Sequence, residues 1–173
     1  LDKTNCHPFV RTDSSGREWV LAHNGTIFSG MTLLKYNNLQ TGNTDSERIL
    51  MYFIDNINEA TKQKGEPLDA SERCKIIESS IAAITKRNKV NLILSDGELY
   101  YVHANMKGTL FYKQEDGSVT FGTVPYDDTG WEPVELCRLF VYKNGGLFFA
   151  GSSHGNEYIE SISLIVSDME FNL

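Results

Sequence analysis

Two short segments of this 173-residue sequence carry side chains suited to chemistry on a carbonyl group. In the first, the apolar run at residues 19–22 leads into His23, Asn24 and Gly25. Asn-Gly is the dipeptide that most readily takes positive φ, so we predict a sharp turn directly after His23. Such a turn presents the side-chain NH2 of Asn24 and the backbone N–H of Gly25 to one side, where two donors can stabilise an oxyanion. The residues alone are equally compatible with an ordinary tight turn.

The second segment, residues 42–47, has the pattern of a helix start. Thr44 and Glu47 have the S/T-x-x-E spacing of a capping box, so we predict that a helix opens here. Asp45 then falls in the first helical turn, where a carboxylate is favoured by the helix dipole and can bind an ammonium group. A single Asp at this position is more commonly a first-turn charge without a ligand, and the residues alone leave both interpretations open.

Other residues offer alternative chemistry. His23 is a candidate general base, but a lone histidine is more often structural, and we expect a supporting role that includes contact with substrate. Cys6 beside His7 suggests a Cys/His pair, yet neighbours in an extended chain point to opposite faces and cannot share a proton. A thiol hydrolase built from Cys6 and His23 is the hypothesis that the sequence favours least. Asp127 and Asp128 lack the further oxygen ligands of a cation site, so we expect a solvated loop there.

The order of these motifs resembles that of the class II glutamine amidotransferases, in particular the small stand-alone members with the N-terminal nucleophile (Ntn) hydrolase fold. The matching stretches are residues 5–9, 19–25, 41–42, 44–47 and 91–97, with weaker similarity from residue 123 to residue 145. The resemblance implies an α+β fold, namely an Ntn-hydrolase-like four-layer αββα sandwich with antiparallel sheets.

The resemblance also implies a reaction. Family members hydrolyse the side-chain amide of glutamine through a thioester on an N-terminal cysteine whose own α-amine is the base. By match to the family, Asn24 and Gly25 form the oxyanion hole and Asp45 binds the substrate α-amino group, with Thr44 and His23 in the same substrate-binding site. No metal or organic cofactor is implied. The implied partners are a small-molecule substrate, glutamine or a γ-glutamyl compound, and a protein that accepts the ammonia.

One departure from the family pattern is that this sequence begins at Leu1 and not at a cysteine. We therefore expect that the segment with the nucleophile, and with an arginine that grips the substrate carboxylate, is missing from this chain. The sheet would then lack its first strands, and the fragment alone would be inactive. Two alternatives stay open: a catalytically inactive Ntn-fold module for binding or scaffolding, and a hydrolase of γ-glutamyl peptides.

Local patterns predict the helices that would position these residues. A first helix should run from Thr44 to about residue 65, because Ile49, Phe53 and Ile57 recur on one face. A second is announced by residues 69–72 and carries Cys74 on its apolar stripe, so we expect that cysteine to be buried.

Strands and loops account for the rest of the sequence. Antiparallel hairpins are predicted at residues 7–22, 91–104, 109–124 and 136–150. Residues 27–42 read as a loop that can cover a small-molecule pocket. Residues 151–155 are predicted to be a flexible break, and residues 158–166 are apolar enough to pack, for example as a strand.

Composition sets the broad class of the protein. The length favours one domain over residues 1–173, with residues 151–173 as a C-terminal extension of unknown role. A net charge of -7 argues against a nucleic-acid or anionic-membrane partner, since either needs a clustered basic face. The sequence has no apolar run long enough to span a membrane. Three scattered cysteines without a C-x-x-C pair indicate neither a disulfide framework nor a zinc site, and they favour a reducing, cytoplasmic compartment.

Overall fold

The computed structural model describes residues 2–160. In that part of the chain two α-helices and nine β-strands alternate with short 3-10 turns at Lys3–Asn5 and Leu34–Tyr36. The helices are α1 (Asp45–Lys64) and α2 (Ala70–Thr85). The strands are β1 (Phe9–Thr12), β2 (Glu18–Thr26), β3 (Lys89–Ser95), β4 (Tyr100–Ala104), β5 (Phe111–Glu115), β6 (Ser118–Gly122), β7 (Trp131–Pro133), β8 (Arg138–Lys143) and β9 (Gly146–Ala150).

Both helices begin at the predicted caps. The hydroxyl of Thr44 accepts a hydrogen bond from the N–H of Glu47 at the start of α1. At the start of α2, Asp69 and Glu72 form a reciprocal capping box. Helix α1 ends at Gly65, whose φ of 79° is the left-handed conformation that glycine adopts at helix ends. The two predicted helices are therefore confirmed, including the residues that start both and the glycine that ends α1.

The helices cover one face of a six-stranded sheet with the strand order β1-β2-β3-β4-β8-β9. Every neighbouring pair in this sheet is antiparallel. The main core lies between the sheet and the helices, and its members share nearly complete burial; they include Trp19, Leu21, Ile49, Phe53, Ile57, Cys74, Ile77, Ile81, Leu92, Leu94, Tyr101 and Val141. The predicted burial of Cys74 is confirmed, and burial raises the pKa of its thiol to about 12.

A second, three-stranded antiparallel sheet with the order β6-β5-β7 packs near β4 and β8. Val102 and Tyr142 meet Tyr112 and Phe121 there in a smaller apolar cluster. Strand β7 was not predicted, because three residues that include Pro133 give little local strand signal.

These layers confirm the α+β class with antiparallel sheets. Residues 2–160 supply a pair of helices, the six-stranded sheet and the small second sheet. The predicted hairpins are also present, with strand ends shifted by up to four residues from the sequence interpretation. The fold therefore follows the local hydrophobic pattern over most of the described chain.

The predicted sharp turn after His23 is wrong. Strand β2 continues through Asn24 and Gly25 to Thr26, and Gly25 pairs with Val90 of β3. The turn propensity of Asn-Gly is a local preference, whereas seven residues of β2 find antiparallel partners in β3. The hydrogen bonds of this long pairing outweigh the local preference.

The predicted flexible break at residues 151–155 is also wrong. Residues 151–160 form a segment without helix or strand, here called the C-terminal strap, which is bonded to α2, to β8 and to Asn105 just after β4. The Gly151 N–H donates to the Leu139 carbonyl, and the Tyr158 N–H donates to the Asn105 carbonyl at 2.7 Å. No strand is formed by residues 158–160, and the rest of the predicted 158–166 strand lies outside the described residues.

Neither helix of the described residues is both long and apolar enough to cross a membrane. Within residues 2–160, no three His, Cys, Asp or Glu side chains are grouped as metal ligands would be.

Candidate active site

The end of β2 sends its side chains to the two faces of the sheet. His23 lies on the face that packs against the helices and is 7% exposed. Asn24 follows it and is exposed on the opposite face, because successive side chains alternate along a strand. The NH2 of Asn24 is therefore accessible to a ligand on the sheet face that points away from α1.

Glycine is needed at position 25 because the structure leaves no room for a side chain there, and not because the chain turns. A Cβ atom at this position would lie 2.0 Å from the carbonyl oxygen of Lys89 and 2.5 Å from Nε2 of His23. The partner strand and the imidazole ring thus approach the Gly25 backbone more closely than any side chain allows.

Asp45 is held against the chain that leaves β2. Its Oδ2 accepts a hydrogen bond of 2.7 Å from the backbone N–H of Ile27, three residues after Asn24. Thr44, directly before it, uses its hydroxyl oxygen to cap α1 and keeps the hydroxyl proton for donation. The start of α1 is therefore joined to the chain just after β2 by the hydrogen bond that the Ile27 N–H donates to Asp45.

His23 makes a second connection between the same two elements. Its Nδ1 lies 3.0 Å from the hydroxyl oxygen of Ser46, and its Nε2 lies 3.4 Å from the carbonyl oxygen of Lys89. A carbonyl oxygen can only accept, so Nε2 carries the proton and Nδ1 accepts from the Ser46 hydroxyl. Burial lowers the pKa of His23, and the negative charge of Asp45 opposes this only in part. The ring is neutral at pH 7, as this bonding pattern requires.

Sequence reasoning missed the residues that order the loop before α1. The buried carboxylate of Glu47 accepts from the N–H groups of Thr41 and Gly42 at 2.8 Å each, and it also binds Arg11. Burial raises its pKa, but these backbone and arginine donors outweigh that effect, and the net pKa of Glu47 is lowered. The capping-box spacing pointed to Glu47, but the motif assigns its carboxylate to the cap residue's N–H and not to the loop.

The N-terminal residues pack against the same loop. Oδ1 of Asn5 accepts from the Asn43 N–H at 2.9 Å, and a Cβ at Gly42 would lie 2.2 Å from that oxygen. No local pattern could have revealed this contact, because 38 residues separate Asn5 from Asn43.

A cavity of about 390 Å³ lies beside the loop that follows β2. Its walls are loop residues from Ile27 to Leu33 and the end of α2 with Lys86, Arg87 and Asn88. The side chain of Asn88 fixes the loop, because its amide oxygen accepts from the N–H groups of both Phe28 and Ser29. Asn24 and Asp45 are not among the residues lining this cavity.

Cys6 and His23 do not form a catalytic pair in this structure. Both ring nitrogens of His23 are engaged by Ser46 and Lys89, and the thiol of Cys6 donates to the carbonyl of Asp2. The thiol-hydrolase hypothesis required a hydrogen bond between the two side chains and is contradicted.

Comparison with solved structures places the fold. A predicted glutamine amidotransferase from Pseudomonas aeruginosa matches with a TM-score of 0.65 and 20% identity, over 85% of this chain and 66% of that one. Glutamine phosphoribosylpyrophosphate amidotransferase from B. subtilis, complexed with ADP and GMP, matches with a TM-score of 0.60 and 13% identity, over 92% of this chain and 34% of that one. The fold is that of the Ntn-type amidotransferases.

Comparison of sequences gives the family. Residues 1–116 match the family described as "Glutamine amidotransferases class-II". A Haemophilus influenzae protein named "Putative glutamine amidotransferase" is 28% identical over 165 residues, which cover 82% of this chain and 55% of that protein. The chain belongs to the class II glutamine amidotransferases, and it spans about half the length of this relative.

Proposed function

We propose that the full-length protein hydrolyses the side-chain amide of glutamine and releases glutamate and ammonia. The nucleophile is the thiol of an N-terminal cysteine that precedes Leu1, and the α-amine of that cysteine takes the thiol proton. Sulfur adds to the amide carbon, the C–N bond breaks as the amine returns the proton to the leaving ammonia, and water hydrolyses the thioester.

The observation that carries this proposal is the hydrogen bond that ties the start of α1 to the chain leaving β2. Asn24, two residues before the end of β2, has an exposed amide on the sheet face away from α1, and the N–H of Ile27, three residues later, donates to the carboxylate of Asp45. An amide donor suits a developing oxyanion, and a carboxylate suits the α-ammonium of an amino acid.

In this proposal Asn24 and the N–H of Gly25 stabilise the tetrahedral oxyanion. One such donor typically contributes about 3 kcal/mol to transition-state stabilisation. The long pairing of β2 with β3 supports this role, because a strand held on a rigid sheet keeps a donor in place better than a mobile turn does.

Asp45 binds the substrate ammonium, and Thr44 contributes its free hydroxyl proton to the same site. The carboxylate is already positioned by the Ile27 N–H, so little ordering is needed when substrate binds. In this proposal His23, which is buried beneath Gly25 and bonded to Ser46, supports the substrate-binding site from the helix side of β2. The ammonia passes to a partner protein that accepts it.

The experiment is a glutaminase assay of the full-length protein with glutamine and, separately, a γ-glutamyl peptide. Loss of the N-terminal cysteine should abolish turnover. Asn24→Ala should lower kcat about 100-fold with little change in KM, and Asp45→Asn should chiefly raise KM. Asp116→Asn, at an exposed position in the turn between β5 and β6, is the matched control and should leave the kinetics unchanged.

Two outcomes would contradict the proposal. The first is turnover that persists without the N-terminal cysteine. The second is a folded, cysteine-bearing full-length protein that hydrolyses neither substrate, which is the behaviour of a binding or scaffolding module.

A further inference from the structure

Ser46 is a buried polar residue in the first turn of α1, 4% exposed, and helix formation does not explain why a serine is buried there. Serine is an average helix former that favours caps over interior positions, so an apolar residue would suit the buried face better. Its hydroxyl is directed at Nδ1 of His23 on β2, at 3.0 Å. The contact joins two elements that are 23 residues apart in the chain.

The imidazole of His23 lies between this hydroxyl and the backbone of Gly25. Its Nε2 would be 2.5 Å from a Cβ on Gly25, and the same nitrogen donates to the Lys89 carbonyl. The imidazole ring therefore packs against the Gly25 peptide, and its hydrogen bond to Ser46 fixes the position of the ring. Oxyanion donors must point accurately at the reacting oxygen. A shift of the His23 ring would therefore disturb the N–H of Gly25.

We infer that Ser46 and His23 form a positioning pair that holds the Gly25 N–H and the Asn24 amide in the geometry needed for oxyanion stabilisation. This inference rests on the proposed function. Neither residue is a catalytic residue, because each acts through the backbone of β2. Asp45 keeps its own bond to Ile27, so loss of the pair should disturb turnover more than substrate affinity.

The test compares Ser46→Ala, Ser46→Thr and Ser80→Ala in the full-length protein. Ser80 is the matched control: it is a buried helical serine, 2% exposed, that accepts a side-chain hydrogen bond from Asn56 of the other helix. Ser46→Ala should lower kcat about tenfold with KM within about twofold, the size of effect expected for a misplaced group. Ser46→Thr keeps the hydroxyl and should restore kcat, and Ser80→Ala should leave both constants unchanged.

A second variant keeps the inference testable if Ser46→Ala does not fold. His23→Asn retains an acceptor for Ser46 but removes the ring beneath Gly25, so it should also lower kcat at constant KM. If the two residues act as one unit, the double variant should lose no more turnover than the worse single variant.

A readout that needs no activity separates this inference from the proposed function. In 15N NMR spectra, wild-type His23 should show the Nε2–H tautomer, and Ser46→Ala should shift both the ring nitrogens and the Gly25 amide, whereas Ser80→Ala should shift neither. Unchanged spectra, or an active Ser46→Ala variant with wild-type kcat, would overturn the inference. If the full-length protein is inactive but shows the expected NMR shifts, the proposed function is refuted. Ser46 and His23 then have only a structural role.

Discussion

His103 and His154 share a direct hydrogen bond between their Nε2 atoms, 2.9 Å apart. His103 is completely buried on β4, and its Nδ1 donates to the Val90 carbonyl, so its Nε2 can only accept. On the C-terminal strap, Nδ1 of His154 accepts from the Asn156 N–H, so the proton of His154 is on Nε2. The chain of donors is complete only while both rings are neutral.

Acidification should therefore loosen the C-terminal strap. Burial, with a smaller effect from His154, lowers the pKa of His103 to about 3, and burial lowers the pKa of His154. When the strap is released, the histidines can take up protons below the ordinary histidine pKa of about 6.5. The attached strap is therefore fully stable above that pH and loses stability as the pH falls towards about 3.

Amide hydrogen exchange at Asn156 and Tyr158, expressed as a protection factor to remove the intrinsic pH effect, measures this loosening. Protection should fall as the pH is lowered from 7 to 5. His154→Gln should weaken the pH dependence, because glutamine can donate to His103 but does not titrate. His7→Gln, a change at an exposed histidine outside the strap, should behave as wild type. Protection that does not change with pH would refute the prediction.

The charged and titratable groups that face His103 and His154 are Glu78 on α2 and His23 on β2.

Arg73 should be the ion-pair residue whose loss costs most stability among those described. Its Nε donates to Asp96 at 2.7 Å and an Nη donates to Glu98 at 2.6 Å, and the Asp96 side chain is fully buried. Arg73→Ala removes both short ion pairs and leaves the buried Asp96 carboxylate with Arg17, 3.8 Å away, as its remaining cation, so we expect a loss of about 3 kcal/mol in the free energy of unfolding. Urea denaturation measures it.

The matched control for Arg73 is Lys64→Ala. Lys64 pairs with Glu72 at 2.7 Å, but both side chains are partly exposed and the pair is screened by solvent, so this change should cost much less stability than Arg73→Ala. Equal losses from the two variants would show that burial of the Arg73 pair does not determine its contribution.

Gly25→Ala should destabilise the protein because of its strand partner. The new Cβ would meet the Lys89 carbonyl oxygen, so the β2–β3 pairing must open locally, at a cost of at least about 2 kcal/mol. Gly146→Ala on β9 is the control: its Cβ would have only an ordinary contact of 3.7 Å with the Lys143 carbonyl oxygen. Thermal unfolding of both variants checks the difference. A Gly25→Ala protein as stable as Gly146→Ala would show that the strands separate here without strain.

The sequence by itself determined the elements whose signals are contained in neighbouring residues. The caps at Thr44 and Asp69 and the left-handed end at Gly65 specify where both helices begin and where α1 ends, because each signal and its structural effect lie within one helical turn. The apolar period that placed Cys74 in the core is likewise local. These features, and the hairpins, give the α+β class, and the order of the motifs gave the family.

The tertiary structure alone decided the features that depend on residues far apart in the chain. Asn24-Gly25 carries a turn signal, but the pairing of Gly25 with Val90, 65 positions away, keeps it in a strand. Local composition does not indicate three further contacts: His23 with Ser46, Asp45 with Ile27, and His103 with His154. Each requires the sheet and helices to be assembled first, since only packing brings these donors and acceptors within hydrogen-bonding distance.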